Sequence, residues 1–463
     1  MALQVLIAHT GLRLEVDTAQ FSILDDLKAW VSRKTSIPPQ HIVALTPHGR
    51  TVKFTSLHTE VGYSVRDMPF LTIAQKEMFI YDIRISSPGN ANLITPVPAP
   101  KRYVIPNAPN TIDDVQSISS WQELYKERRN WAMHLVEDCG QMNTTTLALY
   151  SEIDVIIKCL DAAVANLEIS IKTIEPKYND LKKWVTPALE EHRTLVENWE
   201  QYLDLARNTP ISPLMVKFMT RQETKKSNPT LEDLIELDTA RKAGKLAPTA
   251  HRRFSDKANQ LNNTASQMYR SLESLIADFE KLMSRSALGH STDSAQLLED
   301  IEAVVKQMDS DYRAALGYSN TQRDVAQASK TASVHTEHLV PTLKKRVKEM
   351  DELLHYATDA RNSIASESAK FMRYVTEITS LHNNVKSQIN VLNQSVDDMT
   401  TFDYLRLIHQ LPYMYAAFVS EAVRRREWVD KVKTDSSTLA NEMALFQDEE
   451  SKRRRKWQKM IGS

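Results

Sequence analysis

From Leu343 to Met399 the chain keeps one phase of a four-three repeat. Its seats are Leu343, Val347, Met350, Leu354, Ala357, Arg361, Ile364, Ser368, Phe371, Val375, Ile378, His382, Val385, Ile389, Leu392, Val396 and Met399, and only Arg361, Ser368 and His382 are polar. Roughly eight heptads in register predict one long helix whose narrow seam faces another helix, in the same chain or in a second copy, because a two-seat stripe is too thin to cover a globular core. At ~1.5 Å per residue that helix reaches roughly 85 Å, which predicts an elongated molecule. His382, with no second ligand in register, reads as a polar seat that sets the register.

Other stretches repeat the pattern. Ile153, Ile157, Leu160, Val164, Leu167, Ile171, Ile174, Tyr178, Leu181 and Val185 form a second seam, interrupted by Pro176 and Pro187, where a kink or a helix boundary is expected. Leu261, Ala265, Met268, Leu272, Leu275, Phe279 and Leu282 form a third, and Leu297, Ile301, Val304, Met308 and Tyr312 a fourth. Breaks are expected near 207–230, where Pro210, Pro213 and Pro229 interrupt any helix and Thr230 with Asp233 comes close to a capping box, near 286–294, and near 409–412, where Pro412 suits a helix start.

Residues 1–85 read differently. LQVLIAH and LRLEVD, joined at Thr10 and Gly11, predict a hairpin. FSILDDLKAWVSRKT predicts a helix capped by Ser22 that buries Leu24, Leu27 and Val31. A strand, a turn at Gly49 and a last strand in EMFIYDIRI come next. This order resembles the ubiquitin-like β-grasp, and Ile37-Pro38-Pro39-Gln40 falls where ubiquitin has a similar turn. No pair of terminal glycines closes it, so the module is not a transferable tag. Residues 86–112 instead hold the prolines from Pro88 to Pro109, an extended linker ahead of a helical domain at 113–463. The predicted fold class is therefore mainly α: an N-terminal ubiquitin-like β-grasp followed by an elongated array of long helices.

Chemistry is sparse in this sequence. Nine glycines in the whole chain leave no cluster able to cradle a phosphate, and no hydrolase, metalloprotease or kinase motif is present, so no catalytic residue, cofactor site or enzyme activity is expected. Cys139 and Cys159, without a CxxC or a nearby histidine pair, read as buried thiols and not as metal ligands. His335 and His338 are three apart, yet Thr336 and Glu337 between them suggest a solvated face. Lysine and arginine (58) balance aspartate and glutamate (59), which argues against a nucleic-acid partner. KRRRKW at 452–457 comes after DEES and reads as a solvated helix face. No stretch approaches the ~20 apolar residues of a membrane span, and the start lacks a secretory pattern, so a cytoplasmic protein is expected.

LPYMYAAFVSEAVRRREW at 411–428 sets four aromatic rings beside three arginines. Leu411, Tyr415, Phe418, Ala422 and Val429 share a stripe, flanked by Val419 and Trp428, and are expected to be buried. Arg424, Arg425 and Arg426 span about 200° of the helix, too wide for one patch. They are available to carboxylates such as Glu421.

That closing motif, the opening SSWQELYKERRNWAMHLVEDC of the helical region, and the order of module, linker and array resemble the autophagy-related protein 11 family of fungi. The animal scaffold that interacts with focal adhesion kinase is similar. The resemblance implies a non-enzymatic scaffold of selective autophagy, including mitophagy, pexophagy and cytoplasm-to-vacuole targeting. It implies a homodimer that gathers the autophagy-initiating Ser/Thr kinase with its regulatory subunits, a vesicle membrane protein and cargo receptors at the phagophore assembly site, peripheral at the vacuole membrane through those partners. Family members are longer, so KWQKMIGS looks like the end of an N-terminal part, with cargo receptors served by the family's C-terminal part. Candidate dimer or partner contacts are Arg424, Arg425, Arg426, Trp428, Phe371, Val375, Ile378 and His382. The alternative is a membrane-curvature-sensing or tethering helical dimer, which requires basic residues gathered on one face where here they are interleaved with acids.

Overall fold

The computed structural model describes residues 2–17, 20–21, 23–52, 76–87, 93–109, 117–221, 226–285, 287–394 and 400–462. The predicted Ser22 cap and the seam seats Val396 and Met399 lie outside them.

The hairpin forms as β1 (Ala2–Ile7) and β2 (Arg13–Asp17), paired antiparallel, with Gly11 at φ 75° in a conformation that favours glycine. Helix α1 (Leu24–Thr35) carries Asp25 and Asp26 in its first turn and Arg33 and Lys34 in its last, which suits the helix dipole. It buries Leu24, Leu27 and Val31 as expected. A short 3-10 turn at Pro39–His41 leads into β3 (Ile42–Leu45), and β4 (Lys76–Asp82) closes the sheet in the order β2-β1-β4-β3 with β1 and β4 parallel. This is the β-grasp arrangement.

The rest of the described chain is mainly helix: α2 (Ile118–Asn208), α3 (Pro213–Thr220), α4 (Leu237–Ser284), α5 (Asp293–Leu316), α6 (Gln322–Val334), α7 (Val340–Gln394) and α8 (Thr400–Ile461). Helix α2 has no boundary at Pro176 or Pro187. The expected start at Pro412 is also absent, since α8 runs through it. A mid-helix proline costs about 3 kcal/mol. Here Leu411 and Tyr415, on either side of it, pack against Ala206, Ile211, Val216 and Leu231, and this burial offsets the lost hydrogen bond. On α5 the buried seat is Val305 and not Val304, because a straight helix of 3.6 residues per turn drifts off a 3.5-residue repeat.

The chain divides into two units. Residues 1–176 and 263–386 make the first, with the β-grasp and a helical core in which Leu124 and Tyr125 of α2 meet Ala315 of α5 and Ala328 and Ala332 of α6. Residues 177–262 and 387–463 make the second, where Leu195 of α2, Ala240, Ala243 and Ala247 of α4, and Phe402, Leu405 and Ile408 of α8 form the core.

Candidate interaction surfaces

One face of the β-grasp sheet, with Leu3, Val5, Met78 and Ile80, covers α1. Because side chains alternate across a strand, Leu6, Ala8, Phe79 and Tyr81 point the other way. They close, with Leu45, on Val155, Cys159, Ala162 and Ala163 of α2. Two turns make the approach possible. A Cβ at Gly11 would stand 2.5 Å from the Glu152 carbonyl oxygen, and one at Gly49 (φ 71°) would collide with the backbone nitrogen of Asn166. The Tyr81 hydroxyl donates to the Cys159 carbonyl, and Asn166 Nδ2 donates to the Gly49 carbonyl at 2.5 Å. Burial pushes the Cys159 thiol well above its ordinary range and Cys139 up to about 12, so both are inert thiols. Arg361 is 4% exposed and sits in the α7 seam, donating to Glu152 Oε2 at 2.8 Å and to the Thr10 carbonyl at 2.8 Å.

The proline-rich segment is not a free tether. Residues 95–109 run extended along α2 and α7 as a strap. The Asn362 side chain accepts from the Val97 amide and donates to the Val97 carbonyl, both at 2.8 Å, reading the backbone as a neighbouring strand would. Asp351 takes Arg102 at 3.0 Å and the Tyr103 amide at 3.1 Å. Tyr103 donates to Asp138, and Trp131 Nε1 donates to the Pro106 carbonyl at 3.1 Å. Proline deprives the strap of some amides but not of carbonyls, and the contacts use the amides that remain at Val97 and Tyr103 together with the carbonyls of Val97 and Pro106.

His335 departs from the solvated face expected of it. It is fully buried in a π-helical turn (His335–Leu339), 2.9 Å from Asp311 and edge-on to Tyr125. Burial lowers its pKa, with Asp311 opposing. The π turn displaces the regular ladder, and Arg128 of α2 donates to the Ala332 carbonyl at 3.2 Å and to Thr336 Oγ1 at 2.9 Å. His338 is exposed. Among the described residues no three His, Cys, Asp or Glu side chains gather as metal ligands.

Of the candidate contact residues on α7, Phe371 and Ile378 are buried, while Val375 and His382 are half-buried. Val375 packs against the β-grasp cluster. The chain itself therefore occupies much of this seam.

The candidates on α8 behave in the opposite way. Arg424 and Arg425 reach Glu421 at 2.7 and 2.9 Å and hold its carboxyl down at about 2, while Arg426 lies 4.0 Å from Asp430. The aromatic stripe expected to be buried is exposed beyond Tyr415: Phe418 is 50% and Trp428 62% accessible. The four-three spacing in fact continues. Phe418, Ala422, Arg425, Val429, Val432, Ser436, Leu439, Met443, Phe446, Glu450, Arg453, Trp457 and Met460 share one seam, with Phe446 at 69% and Trp457 at 62% exposure. Opposite it lies the surface ion pair of Lys452 with Asp448, while Arg454 pairs with the seam's own Glu450. Large apolar side chains repeating on one stripe of an otherwise charged helix mark a contact surface. No described helix is long and apolar enough to cross a membrane.

The profile of the family described as "Autophagy protein ATG17-like domain" matches residues 111–463. Proteins called autophagy-related protein 11 are similar over the whole chain: that of Gibberella zeae is 86% identical and that of Pyricularia oryzae 48% identical, the chain spanning 31% and 33% of them. A protein of the same name from Arabidopsis thaliana is 21% identical over 66% of the chain and 27% of its own length. The chain thus spans about a third of the length of the curated relatives it matches.

Proposed function

Because the chain belongs to the autophagy-related protein 11 family, we propose that it is the N-terminal part of a non-enzymatic autophagy scaffold that pairs with a second copy through α8. The observation that carries this reading is the exposed seam from Phe418 to Met460, whose counterpart on α7 is largely satisfied within the chain while it is not. A seam of this length is too narrow and too regular for a globular partner and matches another copy of itself. On this reading the paired chains bring the autophagy-initiating Ser/Thr kinase and its regulatory subunits together with a vesicle membrane protein at the phagophore assembly site. Cargo receptors are served by the portion of the relatives that this chain does not span, and association with the vacuole membrane is peripheral, through partners.

Light scattering tests the pairing. The wild-type chain should give about twice the 52.9 kDa chain mass, and Leu439→Asp with Phe446→Asp should return it to a single copy with unchanged helicity. A wild-type mass of one chain across the micromolar range would sink the reading. Sedimentation with anionic vesicles separates it from the curvature-sensing alternative, which requires pelleting without any partner. The ion pairing of α8's cations with its own carboxylates favours the scaffold.

A further inference from the structure

Within the first unit, α4 and α7 part to leave a groove of about 640 Å³ floored by Ile153, Leu282, Ile364 and Phe371. The gap opens where α7 carries Ala360 and Ser363, side chains too short to fill the space beside the end of α4. Phe279 lies 5.8 Å from Phe371, and His290 lies 5.8 Å from Tyr356, so the two walls run antiparallel. Asp278, Lys281 and Arg285 line one wall, and Asp359, Glu367 and Lys370 line the other. Lys281 turns to Asp278 on its own helix at 3.2 Å, so the first wall keeps a net positive charge through Arg285 while Asp359 and Glu367 make the second net negative.

We propose that this groove binds an amphipathic helical segment of a partner protein, with apolar anchors on the floor, an acidic flank toward Lys281 and Arg285, and a basic flank toward Asp359 and Glu367. The long apolar floor between parallel charged rims is the shape of helix-in-groove recognition, and the volume suits a few anchoring side chains. A lipid surface is disfavoured, because the rims carry both signs and the apolar part is sunk between them. A second copy is disfavoured because the exposed α8 seam lies elsewhere in the sequence and its flanks are already internally paired. The inference names one docking site for the scaffold reading and rests on it, while its readout is separate from that of self-association.

The test uses the full chain and three fluorescein-labelled designed helices sharing one leucine stripe: one with a glutamate flank and a lysine flank, one with both flanks glutamate, one with both lysine. Fluorescence anisotropy should show the mixed helix binding at least tenfold more tightly than either other. Ser363→Trp, at an exposed position that leaves the core intact, should abolish binding, with the mass by light scattering unchanged. Asp359→Lys with Glu367→Lys makes both walls basic and should move the preference to the all-glutamate helix. Equal binding of the three helices, or binding that survives Ser363→Trp, overturns the proposal. So does Ser363→Trp halving the molecular mass, which would assign the groove to a second copy, or Ser363→Trp abolishing pelleting with anionic vesicles, which would assign it to lipid.

Discussion

Arg361 on α7 and Glu152 on α2 meet at 2.8 Å, and the same guanidinium donates to Thr10 in the turn of the β-grasp hairpin. One cation thereby ties two helices and the N-terminal module together. The arginine is almost fully buried and Glu152 only partly, so removing Arg361 leaves an orphaned carbonyl and a carboxylate that water can reach. Arg361→Leu should cost about 2 kcal/mol, less than for a fully enclosed pair. Hydrogen exchange should show the loss first at the β1–β2 turn, and unchanged protection there would refute the coupling.

Gly49 gives an independent probe of the same docking. Gly49→Ala places a Cβ against the α2 backbone at a positive φ, so strain and collision add to about 2 to 4 kcal/mol. The module's own core, built on α1 and the opposite sheet face, is untouched. The expected result is a β-grasp that stays folded while α2 residues 155–163 lose protection. Simultaneous unfolding of both would show that the module does not survive undocking.

The strap predicts a proteolytic phenotype. Lys101 and Arg102 are tryptic sites inside a segment held by Asn362 and Asp351. Cleavage requires the strap to lift, and its rate tracks the lifted population when docking is fast. Asn362→Ala removes two backbone hydrogen bonds, about 1.4 kcal/mol, and should speed cleavage after residues 101 and 102 about tenfold. Equal cleavage rates in wild type and variant would mean that the strap is not held there.

Much of this fold is legible in the sequence, for a stated physical reason. Hairpin, α1 and the long helices arise from local periodicity, which needs no knowledge of what lies across the chain. The docked sheet also leaves a signal, because VLIA and MFIY are apolar at consecutive positions and a strand buried on one face alone would alternate. Long-range polar contacts leave no comparable signal. Nothing around Asn362 announces that it reads Val97, and local pattern misplaces His335 because its π turn is set by Arg128 and Asp311, which lie far away in sequence. The α8 stripe is visible in part, yet apolar spacing does not say whether the covering helix belongs to the same chain, so burial within this chain is the wrong expectation for it.

His192 sets an acid limit on the second unit. It is fully buried, stacked 3.8 Å from the Phe402 ring, near Phe254, with Glu191, Asp403, His251 and Arg406 around it. Burial lowers its pKa to about 4, so between its ordinary value near 6.5 and 4 the unfolded chain binds a proton that the folded chain refuses. Stability is therefore complete above pH 6.5 and falls by about 2 to 3 kcal/mol toward pH 4. Urea midpoints at pH 7.5 and 5 should differ more in wild type than in His192→Phe, and identical pH slopes would remove His192 as the cause.

Arg425 occupies a seam position of α8, between Ala422 and Val429, and its pairing with Glu421 at 2.9 Å keeps its charge at the edge of the stripe. A polar residue at such a seat lowers the stability of a helix pair and fixes its register, because shifting the partner by a heptad would set the charge against apolar side chains. Arg425→Leu should then tighten self-association at least tenfold, about 1.4 kcal/mol, while admitting shifted or larger assemblies. Arg425→Glu, which sets a second carboxylate beside Glu421, should loosen it. Sedimentation equilibrium distinguishes these outcomes from a solvated arginine, for which both variants would leave the association constant where it was.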